Sequence, residues 1–355
     1  MKAIDHKKEY RAMLKRSESY ASLVQQILDE YVVAVSQLVI AGKYDGATWF
    51  ALDLFPSIKK KVEKLQKSSV RAIKLAIVNG ITASWNSSNY KNDLVAQYIL
   101  GDKASLSHFK RYFNNHEDAL NTFINRKRNG LNLSARIWKM EQEFQTNLEA
   151  AISCGFKEGT SAAELSRKVR ECLKEPHKLF RRIREFDEDG NFKKWRLSKR
   201  AQGYCPGNGV YRSSYKNAMR LARTEVNMAY RQADITRWED MDFIVGFEVK
   251  RSMSKHYSCS LCDSLAGRYP KDFPFTGWHP QCMCYIVPIF KSSEEIAADD
   301  KRLMRGEEPS SRSVNEVTDT PAGFKKWLSS HSDYIDNARK RGKLPYFLRG
   351  NKYVS

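Results

Sequence analysis

The segment from Cys259 to Cys284 places the strongest constraint on how this chain can fold. It reads CSLCDSLAGRYPKDFPFTGWHPQCMC and holds four of the seven cysteines and one of the seven histidines. Cys259 and Cys262 are spaced as C-x-x-C, which lets two thiolates bind one metal ion. His279, Cys282 and Cys284 supply further ligands for a tetrahedral site. The segment therefore predicts a structural zinc site held by a loop.

Five candidate ligands are available for four positions. Cys282 and Cys284 are two residues apart, so on an extended strand their side chains share one face, and either completes the site. Turn-forming residues fill the rest of the loop: Gly267, Pro270, Pro274, Gly277 and Pro280. We expect such a loop to bury little apolar surface, so that the metal ion replaces a missing core.

Two other states of these cysteines stay open, namely disulfides and free or redox-active thiols. The N-terminal sequence MKAIDHKKEY lacks the apolar region of a signal peptide. Nothing else marks the chain as secreted, which disfavours disulfides. The longest apolar stretches, such as residues 31–35, are too short to span a bilayer. We therefore expect a chain that is made in the cytoplasm and does not enter a membrane.

Composition indicates a globular protein with an anionic partner. The chain has 355 residues, enough for two or three domains, and 41% of them are hydrophobic. Its formal net charge of +20 favours a polyanion, most simply nucleic acid. A basic protein without a specific ligand is the alternative, because charge alone does not establish binding.

Apolar periodicity predicts helices through most of the chain. A first helix carries the stripe Tyr20, Leu23, Val24, Ile27, Leu28 and Tyr31 and ends near Gly42. A second runs from Pro56 to about Gly80, and residues 86–89 indicate a turn. Later helices are predicted at 132–155, 161–173, 213–238 and 293–304, and again after Pro321. The Ser161–Glu164 pair matches a capping box.

Two strands are expected to flank the zinc loop. Residues 244–252 alternate like a half-buried strand, and 284–290 is the natural antiparallel partner. Pro288 places this second strand at a sheet edge. The predicted fold class is α+β, predominantly α-helical. It comprises a helical N-terminal region at 1–130, a mixed core at 131–290 whose hairpin holds the zinc loop 259–284, and a linker with a basic helical tail at 291–355.

A basic segment at 176–204 is the candidate nucleic-acid contact. We expect it to be irregular, with aromatic residues between the charges, a composition that suits phosphate contact and base stacking. An exposed linker arm with docked aromatics is the alternative. The candidate contact residues are Arg181, Arg182, Arg184, Lys193, Lys194, Arg196, Lys199 and Arg200.

Four motifs in a fixed order resemble a known family. They are YRSSYKN at 211–217, the ARTE helix at 222–225, a strand, and finally C-x-x-C followed by H-P-x-C-x-C. This order is similar to the phage Mu F-like minor head, or head-morphogenesis, proteins of tailed bacteriophages and prophages. The resemblance covers roughly residues 130–290. The helical N-terminal part and the tail resemble forms of these proteins found in phages of Bacteroidetes.

The resemblance implies a structural role inside the virion head. Such proteins join the procapsid in a few copies, associate with portal and capsid proteins, and are linked to DNA packaging and ejection. Non-specific binding to double-stranded DNA would suit the positive charge. A small-molecule substrate is not expected. The stripe Tyr20–Tyr31 could dock on the portal, or it could face the core of its own domain.

A zinc-containing nucleic-acid-binding module or a zinc-dependent nucleic-acid enzyme are the alternative functions. A zinc deaminase needs an H-x-E element before its P-C-x-x-C, and no glutamate stands at the required place. Four protein ligands would leave no open position for water. A DNA-reading zinc module would need a recognition helix after the ligands, where a strand is predicted instead. We therefore expect no enzyme activity and no catalytic residues.

Overall fold

Helices make up most of the fold, and a small antiparallel sheet supports the cysteine loop. The computed structural model describes residues 5–175, 182–197, 213–252 and 259–354. Its helices in chain order are α1 (His6–Ala41), α2 (Pro56–Leu100), α3 (Glu117–Asn125), α4 (Leu133–Gly155), α5 (Ala162–Lys174), α6 (Ser214–Asp240), α7 (Ser260–Ser264), α8 (Ser293–Met304), α9 (Ala322–Ser330) and α10 (Ser332–Lys340). The predicted fold class, α+β and predominantly helical, is confirmed.

Among the described residues, the strands form two antiparallel sheets. β1 (Arg182–Phe186) pairs with β2 (Phe192–Leu197) in a two-stranded ribbon. β4 (Gly267–Tyr269), β3 (Ile244–Lys250) and β5 (Tyr285–Phe290) form a three-stranded sheet in that order. β5 lies at an edge, as predicted, and its Pro288 is opposite Phe247 of β3. Residues 259–284, the cysteine loop, lie on the connection from β3 to β5. Because β3 and β5 are antiparallel, this loop lies at one end of the sheet.

The chain forms two compact units that interleave in sequence. Unit 1 comprises Met1–Glu18, Val78–Gly130 and Arg223–Ser355, and unit 2 comprises Ser19–Ile77 and Leu131–Ala222. The sequence-based division at 130/131 and 290/291 follows the family resemblance and stays a prediction.

Unit 2 is a helical unit with an aromatic core. Phe144 of α4 packs between Tyr31 of α1 and Tyr215 of α6, at ring centroid distances of 6.0 and 5.5 Å. α4 begins where its sequence predicts, because the Asn132 side chain accepts a hydrogen bond from the Ala135 backbone. Ser161 caps α5 in the same way, by accepting from the Glu164 backbone.

Unit 1 packs helices and aromatic side chains around the three-stranded sheet. Trp238 of α6 packs on Phe247 of β3 with ring centroids 5.9 Å apart, and both side chains are fully buried. Phe324 of α9 contacts Tyr269 of β4 edge-on. The same core contains Cys262, Cys282 and Cys284, so the cysteine loop is packed into it.

α2 does not end near Gly80, and residues 86–89 do not form a turn. The helix continues to Leu100. Its polar residues are tolerated because they have tertiary partners: Ser88, Lys91 and Asn92 all donate to the buried Asp234 carboxylate of α6. A single sequence does not reveal partners that lie about 140 residues away, so the polar run looked like a turn.

The first helix confirms part of its predicted stripe. α1 ends at Ala41, next to Gly42. Val24, Leu28 and Tyr31 are buried, whereas Leu23 is 40% exposed. Their burial favours the reading in which this stripe faces its own core.

One helix of the described chain, α1, contains a stretch long and apolar enough to cross a membrane by length and composition. The sequence did not reveal this stretch, because polar residues interrupt its apolar runs. Of that stretch 39% is buried within the structure, and core helices of soluble proteins meet the same criterion.

Candidate metal centre

Three short elements bring the predicted ligands together. Cys259 directly precedes α7, and Cys262 lies within that helix. His279 belongs to a turn, and Cys282 and Cys284 come just before β5. All five predicted ligands therefore gather at one end of the sheet.

Two ligand groups share Cys262. Cys259, Cys262 and His279 form one group, and Cys262, Cys282 and Cys284 form the other, with all ligand atoms of a group within 4.8 Å of one another. The His279 Nε2 atom lies 3.4 Å from the Cys259 sulfur and 3.2 Å from the Cys262 sulfur. The Cys262 and Cys282 sulfurs are 3.9 Å apart. Neighbouring ligands of a tetrahedral zinc ion lie about 3.5–3.8 Å apart, so the contacts of Cys262 with His279 and Cys282 suit a shared ion. Among the described residues no four of these ligand atoms lie within 4.8 Å of one another, so a tetrahedral ion would have to draw the two groups together.

The His279 ring is oriented for metal binding. Its Nδ1 lies 2.8 Å from the Pro280 carbonyl oxygen, to which it can donate a hydrogen bond. The tautomer with a proton on Nδ1 leaves a lone pair on Nε2, the atom that faces the two sulfurs. Metal-bound histidines are commonly held by such a second hydrogen bond.

The buried thiols compete for protons when no cation is present. Cys262, Cys282 and Cys284 are at most 2% exposed. The Cys262 and Cys282 sulfurs share a hydrogen bond, which raises the pKa of Cys262 and lowers the pKa of Cys282. A divalent cation would let neighbouring thiols ionise together, because it compensates their charges. The cluster can therefore bind a metal ion.

Arg231 binds the backbone of the second half of the cysteine loop, residues 276–284. This α6 side chain is 1% exposed and donates to three loop carbonyls. Its Nε, Nη1 and Nη2 atoms lie 3.0 Å from Cys284 O, 2.9 Å from Thr276 O and 2.6 Å from Cys282 O. The guanidinium thus fixes the backbone of both candidate fourth ligands and places a positive charge beside their thiols. Sequence reasoning missed Arg231, because nothing local to α6 indicates this contact.

The ARTE helix contacts the H-P-x-C-x-C turn directly. Gln281, between His279 and Cys282, has a positive φ of 59°. Its backbone N–H donates to the Thr224 hydroxyl over 3.0 Å, and its side-chain oxygen accepts from Arg223 over 3.2 Å. The two motifs that were linked only by their order in the sequence therefore form one hydrogen-bonded unit.

The two charged residues of the ARTE motif form structural ion pairs. Arg223 binds Glu18 of α1 at 2.7 Å. Glu225 is fully buried and accepts from Arg126 and Arg128 at 2.7 and 3.2 Å. Both arginines belong to the basic loop before α4, so this carboxylate anchors that loop to α6.

The expectation that the loop buries little apolar surface is wrong. Its Phe273, Phe275 and Trp278 are at most 2% exposed. Trp278 packs on Phe275 at 4.7 Å and on Phe347, from the C-terminal segment, at 5.3 Å. The glycines and prolines of the loop hid this pattern, because its aromatic residues follow no regular period. A metal ion would therefore add to an existing core.

Gly277 is required beside the cysteines. Its φ is +126°, and a Cβ atom there would lie 3.0 Å from Arg231 Nη1 and 3.2 Å from Cys282 Cβ. A larger residue would therefore be strained by its backbone and would press on the arginine that holds the loop.

The candidate nucleic-acid residues lie partly on a ribbon that sequence reasoning did not predict. Residues 182–197 form β1 and β2 rather than an irregular segment, because the turn at 187–191 lets the two basic runs pair. Arg182, Arg184, Lys194 and Arg196 are on these strands, and Lys193 is exposed. Arg181, Lys199 and Arg200 lie outside the described residues.

Comparison of the chain with models of known protein families, with curated proteins and with solved structures gives no match.

Proposed function

We propose that this chain is a minor structural head protein of a tailed phage or prophage, with a zinc ion in its metal centre. The observation that carries the proposal is the hydrogen bonding of Thr224 and Arg223 to Gln281. These residues belong to the two motifs on which the family resemblance rests. This contact gives a physical reason why the two motifs occur together, because the ARTE helix would position the turn that carries the candidate ligands.

Zinc is the metal that this donor set favours. Several thiols and one imidazole in a tetrahedral arrangement are typical of structural zinc sites. Four protein ligands would leave no place for a reacting water, which supports a structural role. Without a positioned glutamate, the loop also lacks the proton shuttle of a zinc deaminase.

The basic ribbon and the net charge of +20 support contact with packaged DNA inside the head. Such contact would be independent of DNA sequence, because phosphates carry no sequence information. The partners we propose are the portal and capsid proteins, and the protein would be made in the host cytoplasm and enclosed in the virion.

Co-expression with the portal and capsid proteins of the same genome tests this proposal. We expect the protein to sediment with assembled procapsids in a few copies each, and to be lost from particles that lack the portal. Its absence from procapsids that contain portal would contradict the proposal. Turnover of nucleic acid or nucleotides by the purified protein would instead favour the zinc-dependent enzyme.

A further inference from the structure

A polar cleft in unit 1 contains none of the candidate metal ligands. It has a volume of about 620 Å³ and lies beside the start of β3, where Ile244 and Val245 line it. Its other described lining residues include 270–272, 308–311 and 352–353. The volume is within the range of small-ligand sites. Neither the head-protein proposal nor the metal centre uses this cleft.

Three lysines line the cleft, and two of them are held by carboxylates. The Nζ atom of Lys291 lies 2.6 Å from a carboxylate oxygen of Asp299. Lys352 pairs with Asp272. Lys271 differs from both, because it has no ion-pair partner within the described residues. Its amine is therefore the one of the three that no carboxylate holds.

The Lys271 amine is half-buried and donates a hydrogen bond to the Met241 carbonyl over 3.0 Å. Burial is the main cause of its pKa, which lies below the ordinary lysine value; the Asp242 carboxylate opposes this shift and the Lys291 ammonium adds to it. Two carboxylates at the end of α6 also raise the pKa: Glu239 and Asp240. A lowered pKa leaves a larger neutral fraction at pH 7, and the neutral amine is the nucleophile.

The free charges of the cleft wall are negative, although the chain as a whole is strongly basic. Arg111 neutralises one of the five lining carboxylates, Asp242, and Lys352 neutralises a second. Three lining carboxylates have no ion pair within the part of the chain that the structure describes: Glu239, Glu308 and Glu316. This wall would repel an anionic ligand and stabilise a cation that forms inside the cleft.

We propose that Lys271 is a covalent binding site for an uncharged aldehyde, which it holds as an imine. The neutral amine adds to the carbonyl carbon and forms the C–N bond. The carbonyl oxygen then leaves as water with the two hydrogens that the nitrogen loses, so nothing is oxidised or reduced. The protonated imine is a cation, which the free carboxylates of the wall stabilise. The site depends neither on the zinc centre nor on the head-protein assignment.

Reductive trapping with two aldehydes of different charge tests the proposal. The full chain is incubated at about pH 7 with benzaldehyde or 4-formylbenzoate, cyanoborohydride reduces the imine to a stable amine, and peptide mapping by mass spectrometry locates the label. We expect benzaldehyde to label Lys271 at least about fivefold faster than the exposed Lys157. Relative to Lys157, the anionic 4-formylbenzoate should label Lys271 at least about threefold less than benzaldehyde does.

Matched variants separate a reactive amine from a structural one. Lys271→Arg keeps the charge and a donor for the Met241 carbonyl but forms no imine, so it should lose the label and keep the circular dichroism spectrum of the wild type. Lys352→Arg, in the same cleft, should keep the label at Lys271. Equal labelling of Lys271 and Lys157 by benzaldehyde would overturn the proposal. So would equal labelling of Lys271 by the two aldehydes.

Discussion

At the scale of single residues, the buried carboxyl group of Glu141 stands out within unit 2. It lies in α4 and is fully buried, and neither carboxylate oxygen has a hydrogen-bond partner among the described residues. Burial raises the pKa of this carboxyl group to about 8. The group is therefore mostly neutral at pH 7 in the folded protein, whereas in the unfolded chain it is ionised.

This difference gives a stability change with a defined sign. Because the folded pKa lies above the unfolded one, the wild-type free energy of unfolding should fall as pH rises from about 5 to about 8, by several kcal/mol. Glu141→Gln cannot ionise, so its stability should lack this fall and exceed that of the wild type at pH 9. Urea unfolding at several pH values, followed by circular dichroism, measures it.

Glu143→Gln is the matched control, because Glu143 is exposed on the same helix. It should reproduce the wild-type pH profile. Parallel profiles for the wild type and Glu141→Gln would contradict this account of the buried group.

At the scale of elements, α6 supports the metal-binding loop through Arg231. Replacing Arg231 with lysine keeps the charge but loses the fork that holds three loop carbonyls. We expect Arg231→Lys to weaken metal binding about tenfold, because the ligand backbone is no longer fixed. Competition with a zinc chelator measures this affinity.

Arg237 provides the control on the same helix. It is equally buried and bonds to Asp93 and to the Tyr112 carbonyl instead of the loop. Arg237→Lys should therefore lower stability while it leaves the metal affinity within about twofold of the wild type. Equal losses of metal affinity in both variants would mean that Arg231 acts through general stability.

The β1–β2 ribbon is the element expected to contact DNA phosphates. Lys193→Glu with Lys194→Glu should reduce the slope of log affinity against log salt by about two, since each phosphate contact contributes about 0.9. Lys60→Glu with Lys61→Glu changes the net charge equally at exposed positions of α2. A filter-binding titration over a range of salt concentrations should show a flatter slope for the ribbon variant only. Equal slopes for both would assign the binding to net charge.

At the scale of the whole molecule, what the sequence predicted depended on how local each signal was. The starts of α4 and α5 were predictable, because Asn132 and Ser161 cap these helices through neighbours three residues away. The metal ligands were predictable from their spacing within 26 residues. The extension of α2 and the role of Arg231 were not, since their partners lie far away in the sequence.

The packing of the cysteine loop could not be predicted from local sequence signals either. It changes the role that we expect for a metal ion. Trp278 and its aromatic neighbours form a core, although their positions in the sequence follow no helical or strand period. A zinc ion at this site would fix the loop ends on an existing core, so its loss should loosen the ligands and leave both units folded.

Zinc content tests the central claim, a metal centre at the cysteine loop, most directly. Protein purified without chelators should contain one zinc ion per chain by elemental analysis, with the same mass increment in native mass spectrometry. Cys262→Ser, which removes the thiol shared by both ligand groups, should lose the metal, and Cys154→Ser, at an exposed thiol, should keep it. Clearly less than one zinc per wild-type chain, or an unchanged content in Cys262→Ser, would contradict the account.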